Sequence, residues 1–275
     1  MATPSGWKRI AKEFIPPLLL RLRRSGLGFR GDYATWQEAE AACTGYDQPA
    51  ILERVTEATQ AVLDGKAVFE RDSVLFDAPD YNWPLIAVLQ DIARRAGNRL
   101  RVADFGGSLG STYRQCRAFF GDMGQVRWNV IEQSAFVRRG QERFRTGELD
   151  FFPDLGACMA AAPVDCLLLS SVLQYLEDPY RFVSEAVGKG FPCIILDRTP
   201  FSTEGRDRIV RQIVPAEIYS ASYPAHLLDE GRLRSLIERE YTIKAEFLSL
   251  DKFDDKAVFK GWYALRKPNP IASAS

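Results

Sequence analysis

The spacing of apolar positions along the chain changes character near residue 100. Before that point it is helical. Ile51, Val55, Ala58 and Val62 recur at three- and four-residue steps, one face of a helix over 51–63 that Asp64-Gly65 ends. Thr35 to Glu38 has the Thr-x-x-Glu form of a capping box, and alanine-rich sequence follows. Residues 83–96 predict a further helix, with Pro84 in its first turn. The front of the chain therefore reads as helical.

From residue 100 short apolar runs alternate with helical patterns. Strands are expected over 100–105, 126–131, 149–152, 165–170 and 193–196, and helices over 112–120, 135–144, 155–161 and 179–187. Asp178-Pro179 is a helix start, an acidic N-cap followed by proline. Such alternation means right-handed βαβ units and a parallel sheet. The tail departs from it: a helix over 228–238 precedes two strands, 241–250 and 257–266, which lack a helix between them and must pair antiparallel. The expected fold is α/β, a class I methyltransferase (Rossmann-like) sheet with parallel strands and a C-terminal antiparallel hairpin. A dinucleotide enzyme would continue with another helix. The organisation predicted is a helical N-terminal extension or lid over 1–98, the sheet domain over 99–268, and a flexible tail over 269–275.

Composition removes several alternatives. The 275 residues are 46% hydrophobic and 26% charged, enough for a packed core. No apolar run is long enough to span a membrane. The single histidine and the scattered cysteines, none in a CxxC pair, leave no expected metal site. Net charge is zero, but residues 1–30 carry seven Lys/Arg against Glu13 alone. The body lacks spread basic charge, so nucleic acid is not an expected partner. The basic, leucine-rich start over 8–24 suits either contact with an anionic membrane surface or packing on the domain. A cytoplasmic protein, peripheral to the inner membrane face in the first case, is the expectation.

The chemistry concentrates in one loop. Asp104, Gly106, Ser108 and Gly110 follow a strand at alternate positions, and Gly107 and Ser111 complete a stretch of small residues before a helix. The dinucleotide fingerprint G-x-G-x-x-G fails because Phe105 stands at a glycine position, and a P-loop lysine is absent. Small side chains would let a ligand approach the main chain, with Asp104 facing an ammonium group. An ordinary strand–helix turn is the plainer alternative. Glu132, with Gln133, ends the second strand, where a carboxylate accepts both ribose hydroxyls. Phe152 and Asp154 could border adenine, although Phe151 and Phe152 could equally be core. Ser170, Ser171, Val172 and Gln174 cross the crevice mouth after the fourth strand. Together these residues predict an S-adenosyl-L-methionine site.

Methyl transfer needs alignment of acceptor, methyl carbon and sulfur, and a base where the acceptor is a hydroxyl. Asp197 ends the fifth strand as a candidate base, and Arg198 could hold a carboxylate or phosphate; a structural Arg–Asp pair is the alternative. Tyr223 and His226 precede the last helix in a usual lid position. His226 suits proton transfer near neutral pH or a hydrogen-bonded structural role.

With these residues in view, the chain resembles a family of class I S-adenosylmethionine-dependent methyltransferases found mainly in bacterial surface-polysaccharide and related biosynthetic gene clusters. The resemblance runs from about residue 14 to 267. It rests on FIPPLLL, GDYATWQEAEAACTGYD, ERDSVLFD, DFGGSLGSTY, WNVIEQ, SSVLQYLEDP, LDRTPF and SYPAHLLDEGRL. It implies the cofactor and a small-molecule or glycan acceptor, with O-methylation of a sugar, glycan or related intermediate first. A natural-product or amine methyltransferase and a catalytically silent cofactor-binding regulator are the alternatives.

Overall fold

Several helix starts in this chain are set by side chains that take backbone N–H groups otherwise left unpaired. Thr35 accepts from Glu38 at the head of α1 (Trp36–Ala41), and Asn82 accepts from Leu85 at the head of α3 (Trp83–Arg95). Asp154, Asp178 and Asp229 cap α6 (Leu155–Ala161), α7 (Pro179–Gly188) and α8 (Glu230–Ile237). The remaining helices are α2 (Gln48–Leu63), α4 (Ser111–Arg117) and α5 (Ser134–Arg143). A computed structural model describes residues 28–44, 48–71, 73–121, 123–214, 221–249, 251 and 255–268. The basic start over 8–24 and the tail over 269–275 lie outside them. No helix among the described residues is long and apolar enough to cross a membrane.

The main sheet has seven strands. β4 (Arg99–Phe105), β5 (Gln125–Ile131), β6 (Leu149–Phe152), β7 (Cys166–Ser170) and β8 (Cys193–Ser202) form the parallel part. β11 (Tyr241–Leu248) and β12 (Ala257–Arg266) form the terminal hairpin, with β12 antiparallel to β8. The order β6-β5-β4-β7-β8-β12-β11 is the class I methyltransferase sheet anticipated above. Strand residues alternate between two cores. Leu100, Val102, Trp128, Cys166, Leu168 and Ile195 pack with α2 to α5 on one face. Ala103, Leu167, Leu169, Ile194 and Leu196 pack with α6 to α8 on the other. Four of the five cysteines are buried in these cores and all five are free thiols.

Two expectations need correction. The first 98 residues are not all helical: they contain β1 (Gly28–Tyr33) and the hairpin β2 (Phe69–Arg71) and β3 (Val74–Phe76). Tyr223 and His226, expected in a lid position before the last helix, stand on a strand, β10 (Ala221–Leu227), which pairs with β9 (Arg208–Val214). These two join β1 in a second, antiparallel sheet of order β1-β9-β10. Short strands of this kind are stabilised by their partners rather than by their own composition. Because β1 pairs with β9, the front section is hydrogen-bonded to the chain that follows β8.

Candidate functional site

The register of the parallel strands fixes what stands together at their carboxyl ends. Phe105 pairs with Ile131, Asp104 with Leu168, and Ser170 with Asp197. Continued past the strand ends, these pairings place Glu132, Gly106, Ser170 and Asp197 in one row. By the alternation of strand side chains, Asp104, Glu132, Ser170 and Asp197 share the face that bears α2 to α5.

The loop between β4 and α4 reaches this row through left-handed backbone at Gly106, Ser108 and Gly110 (φ 75°, 55° and 89°). Its small residues pack against protein atoms. A Cβ on Gly106 would lie 2.5 Å from Val172 Cγ2, one on Gly107 2.5 Å from Asp104 Oδ2, and one on Gly110 3.0 Å from Leu149 Cδ2. The three glycines therefore draw the loop down onto Asp104 and across to the β7 turn.

Asp104 is 1% exposed and accepts from Trp128 Nε1 at 2.8 Å. Burial pushes its carboxyl up to about 7; the Trp128 bond opposes this, and the charges of Glu132 and Asp197 add to it. Glu132 takes the Gln133 amide at 2.8 Å and the Ser108 amide, and burial raises its carboxyl too. Asp197, also 1% exposed, has donors on both oxygens: Asn82 Nδ2 at 3.1 and 3.0 Å, and Ser170 Oγ at 2.7 Å. Burial raises this carboxyl as well, against the Ser170 bond, the neighbouring Arg198 charge and the Asn82 bond. Among the described residues no lysine or arginine forms an ion pair with any of the three.

After β7 the chain turns at Ser171 (φ 53°), whose hydroxyl accepts from Gln174 Nε2 at 2.9 Å. Gln174 is 1% exposed, and its Oε1 has no partner. Phe152 is half-buried, and its carbonyl accepts from the Glu132 amide. Phe151 is wholly buried core. Asp154 uses one carboxylate oxygen to cap α6, and Gln133 is exposed at the N-cap of α5.

The catalytic candidates are less well gathered. Asp197 is in the row, but its filled oxygens and burial oppose service as a base. Arg198 is paired with Asp251 at 2.8 Å, the structural Arg–Asp alternative, although with a different acid from the one beside it. His226 lies on β10, stacked on Trp36 at 4.9 Å, with Nε2 3.2 Å from the Glu177 carbonyl; burial lowers its pKa. That is the structural role weighed above. Tyr223 contacts the Tyr175 ring edge-on at 5.3 Å, and Tyr175 donates to Gln212 Oε1 at 3.0 Å.

Asn82 stands in the site although sequence reasoning did not place it there. It directly precedes the helix expected over 83–96, but neither its capping role nor its contact with Asp197 was read from the sequence. Glu70 belongs to the Glu70-Arg71-Asp72 run, which reads from sequence either as part of a lid over the site or as a pin of the front portion to the sheet. Glu70 is 4% exposed and accepts from Ser111 Oγ and from the Ser73 amide at 3.2 Å. The carboxylate beside Ser111 is thus the chain's own. Arg71 lies over the Phe69 and Phe76 rings, and Asp72 is outside the described residues.

No family model and no curated protein matches the chain. Among solved structures it is similar to the N-terminal domain of EvdMO1 crystallised in the presence of SAH and D-fucose. Identity is 15% and the TM-score 0.50, over 81% of this chain and 98% of that one. Magnesium protoporphyrin IX methyltransferase (ChlM) from Synechocystis PCC 6803 with bound SAM gives 12% and 0.43, over 97% and 100%. The glycopeptide N-methyltransferase MtfA with SAM gives 12% and 0.45, over 66% and 94%. The EvdMO1 likeness is one of fold.

Proposed function

We propose that this chain is an S-adenosylmethionine-dependent methyltransferase whose cofactor lies along the Glu132–Gly106–Ser170–Asp197 row. The observation that carries this reading is charge. Asp104 and Asp197 are buried and Glu132 is half-buried on one face of the row, none of them in an ion pair among the described residues, and buried charge is costly unless compensated. A ligand bearing an ammonium and a sulfonium would supply the missing cation. Glu132 would accept the ribose hydroxyls, and Asp104 would hold the ammonium beneath the loop of Gly106, Gly107, Ser108, Gly110 and Ser111. Gln133, Phe152 and Asp154 would border the adenine, and Ser170, Ser171, Val172 and Gln174 the methionine portion, where the unpartnered Gln174 oxygen can accept an N–H or O–H.

The cofactor brings an already activated methyl group, so the protein's task is alignment and exclusion of water. Tyr175 and Tyr223 are half-buried aromatic rings in edge-on contact beside the β7 turn. Such rings suit the face of a sugar, and we take the acceptor to be a sugar, glycan or related biosynthetic intermediate. A cytoplasmic location, with residues 8–24 touching the inner membrane face, belongs to the same reading. Deleting residues 1–27 is expected to lower sedimentation with anionic vesicles while leaving nucleoside affinity intact.

Calorimetry with S-adenosylmethionine tests the site. Wild-type protein should bind, and Glu132→Gln should weaken binding by roughly 10- to 100-fold, the effect of losing a charged hydrogen-bond acceptor worth about 1.5–3 kcal/mol. Absence of binding by the wild-type protein would overturn the reading. Binding without turnover over a panel of sugar and nucleotide-sugar acceptors would favour the silent regulator.

A further inference from the structure

Asn82 stands at the joint between the front section and the crevice. Its side chain does two things at once. Its Oδ1 accepts from the Leu85 amide at 3.2 Å and caps α3, while its Nδ2 donates to both oxygens of Asp197. Asp197 Oδ2 also takes the Ser170 hydroxyl, at the start of the turn that carries Val172 onto Gly106. The neighbours of Asn82 are an aromatic group on the outside of this joint: Tyr81, Trp83 and Phe119 meet edge-on at 4.8 to 5.2 Å, and Trp83 is 57% exposed.

We propose that Asn82 is a positioning residue: its amide orients Asp197, and through Asp197 the Ser170 turn, so that seating of α3 over the crevice and alignment of the site are a single event. The inference rests on the proposed cofactor site for its functional consequence, but the joint itself can be tested without ligand. Donors on both oxygens suit an acceptor-only carboxylate. The carboxylate is therefore held by hydrogen bonds rather than by an ion pair, and the residue supplying most of them belongs to the front section. The charged and titratable groups around Asp197 are Arg198 and Asp251 on its own side, Asp104 from β4 and Cys116 from α4. Among these, Arg198 is engaged by Asp251.

Asn82→Asp separates the two roles. Aspartate caps a helix as well as asparagine does, so a residue that only capped α3 would tolerate the change at every pH. At Asn82 the new carboxyl faces Asp197. At low pH it is protonated and can donate in place of the amide; at high pH the two charges repel. The expected result is near wild-type S-adenosylmethionine affinity at pH 6 and a loss of roughly tenfold or more at pH 9, relative to wild type at each pH. Without ligand, the variant's midpoint of chemical denaturation should fall relative to wild type over the same range, as should hydrogen-exchange protection at the head of α3. Asn82→Ala should weaken binding at both pH values. Flat, wild-type-like behaviour of Asn82→Asp in the ligand-free measurements overturns the proposal even where no ligand binds. A wild-type protein that binds no cofactor while Asn82→Asp shows the pH-dependent loss of stability removes the cofactor reading and leaves the joint standing.

Discussion

Asp104→Asn is expected to stabilise the ligand-free protein above neutral pH while weakening its hold on S-adenosylmethionine. Asp104 is wholly buried and its carboxyl is pushed up to about 7, against about 3.9 in an unfolded chain. A group whose folded pKa is raised contributes stability that is fully present below the unfolded value and is lost as pH rises through the folded one. Here the loss runs from about pH 4 to about pH 7 and amounts to several kcal/mol at most, on the order of 1.4 kcal/mol for each pH unit crossed between the two values. Asparagine stays neutral, and its carbonyl can still accept from Trp128. Denaturation at pH 5 and pH 8 should therefore show the variant gaining on wild type at the higher pH. Calorimetry at pH 8 should show the opposite for ligand, a loss of about 1.5–3 kcal/mol with the removed charge. Parallel stability profiles for the two proteins would sink the account of Asp104 as an uncompensated acid.

Gly106→Val should be the most damaging substitution in the loop. The backbone there has φ 75°, which costs an L-residue about 1–2 kcal/mol. The added Cβ would collide with the side chain of Val172, and overpacking adds about 1–3 kcal/mol. A total destabilisation of roughly 2–5 kcal/mol is expected, read as a lower denaturation midpoint. A smaller pair isolates the packing part. Gly106→Ala and Val172→Ala together should be more stable than their separate effects predict, by about 1 kcal/mol, because the second substitution makes room for the first. Strict additivity would show that Val172 does not occupy the space of a Gly106 side chain.

The parallel sheet was readable because its strands are nearly continuous apolar runs buried on both faces, as Leu167 to Leu169 and Ile194 to Leu196 are. The second sheet was not. β9 alternates buried and half-buried positions from Arg208 to Val214, but its sequence does not alternate: apolar residues come in the adjacent pairs Ile209-Val210 and Ile213-Val214, and the buried positions include Gln212 and Arg208, which pairs with Asp32 and Glu204. β1 is six residues with two glycines, and its pairing partner lies in a distant part of the chain. Asp104, near the end of β4 and read from the D-x-G-x-S-x-G loop, and Glu132, directly after β5, lie at the strand ends that the apolar runs predicted. The engagement of Asp197 by Asn82 was not legible, since hydrogen bonding between residues 115 positions apart leaves no local trace. The small residues of the glycine loop were legible, but their fit to the protein's own side chains, Val172 and Leu149 among them, was not.

The pairing of Gly28–Tyr33 with β9 also bears on how the polypeptide is made and handled. During synthesis the first strand leaves the ribosome about 180 residues ahead of its partner, so the small sheet forms late and through a contact of long sequence separation. For the same reason, trimming the chain to start after Tyr33 would leave β9 as an uncovered edge, a ready template for pairing with another molecule.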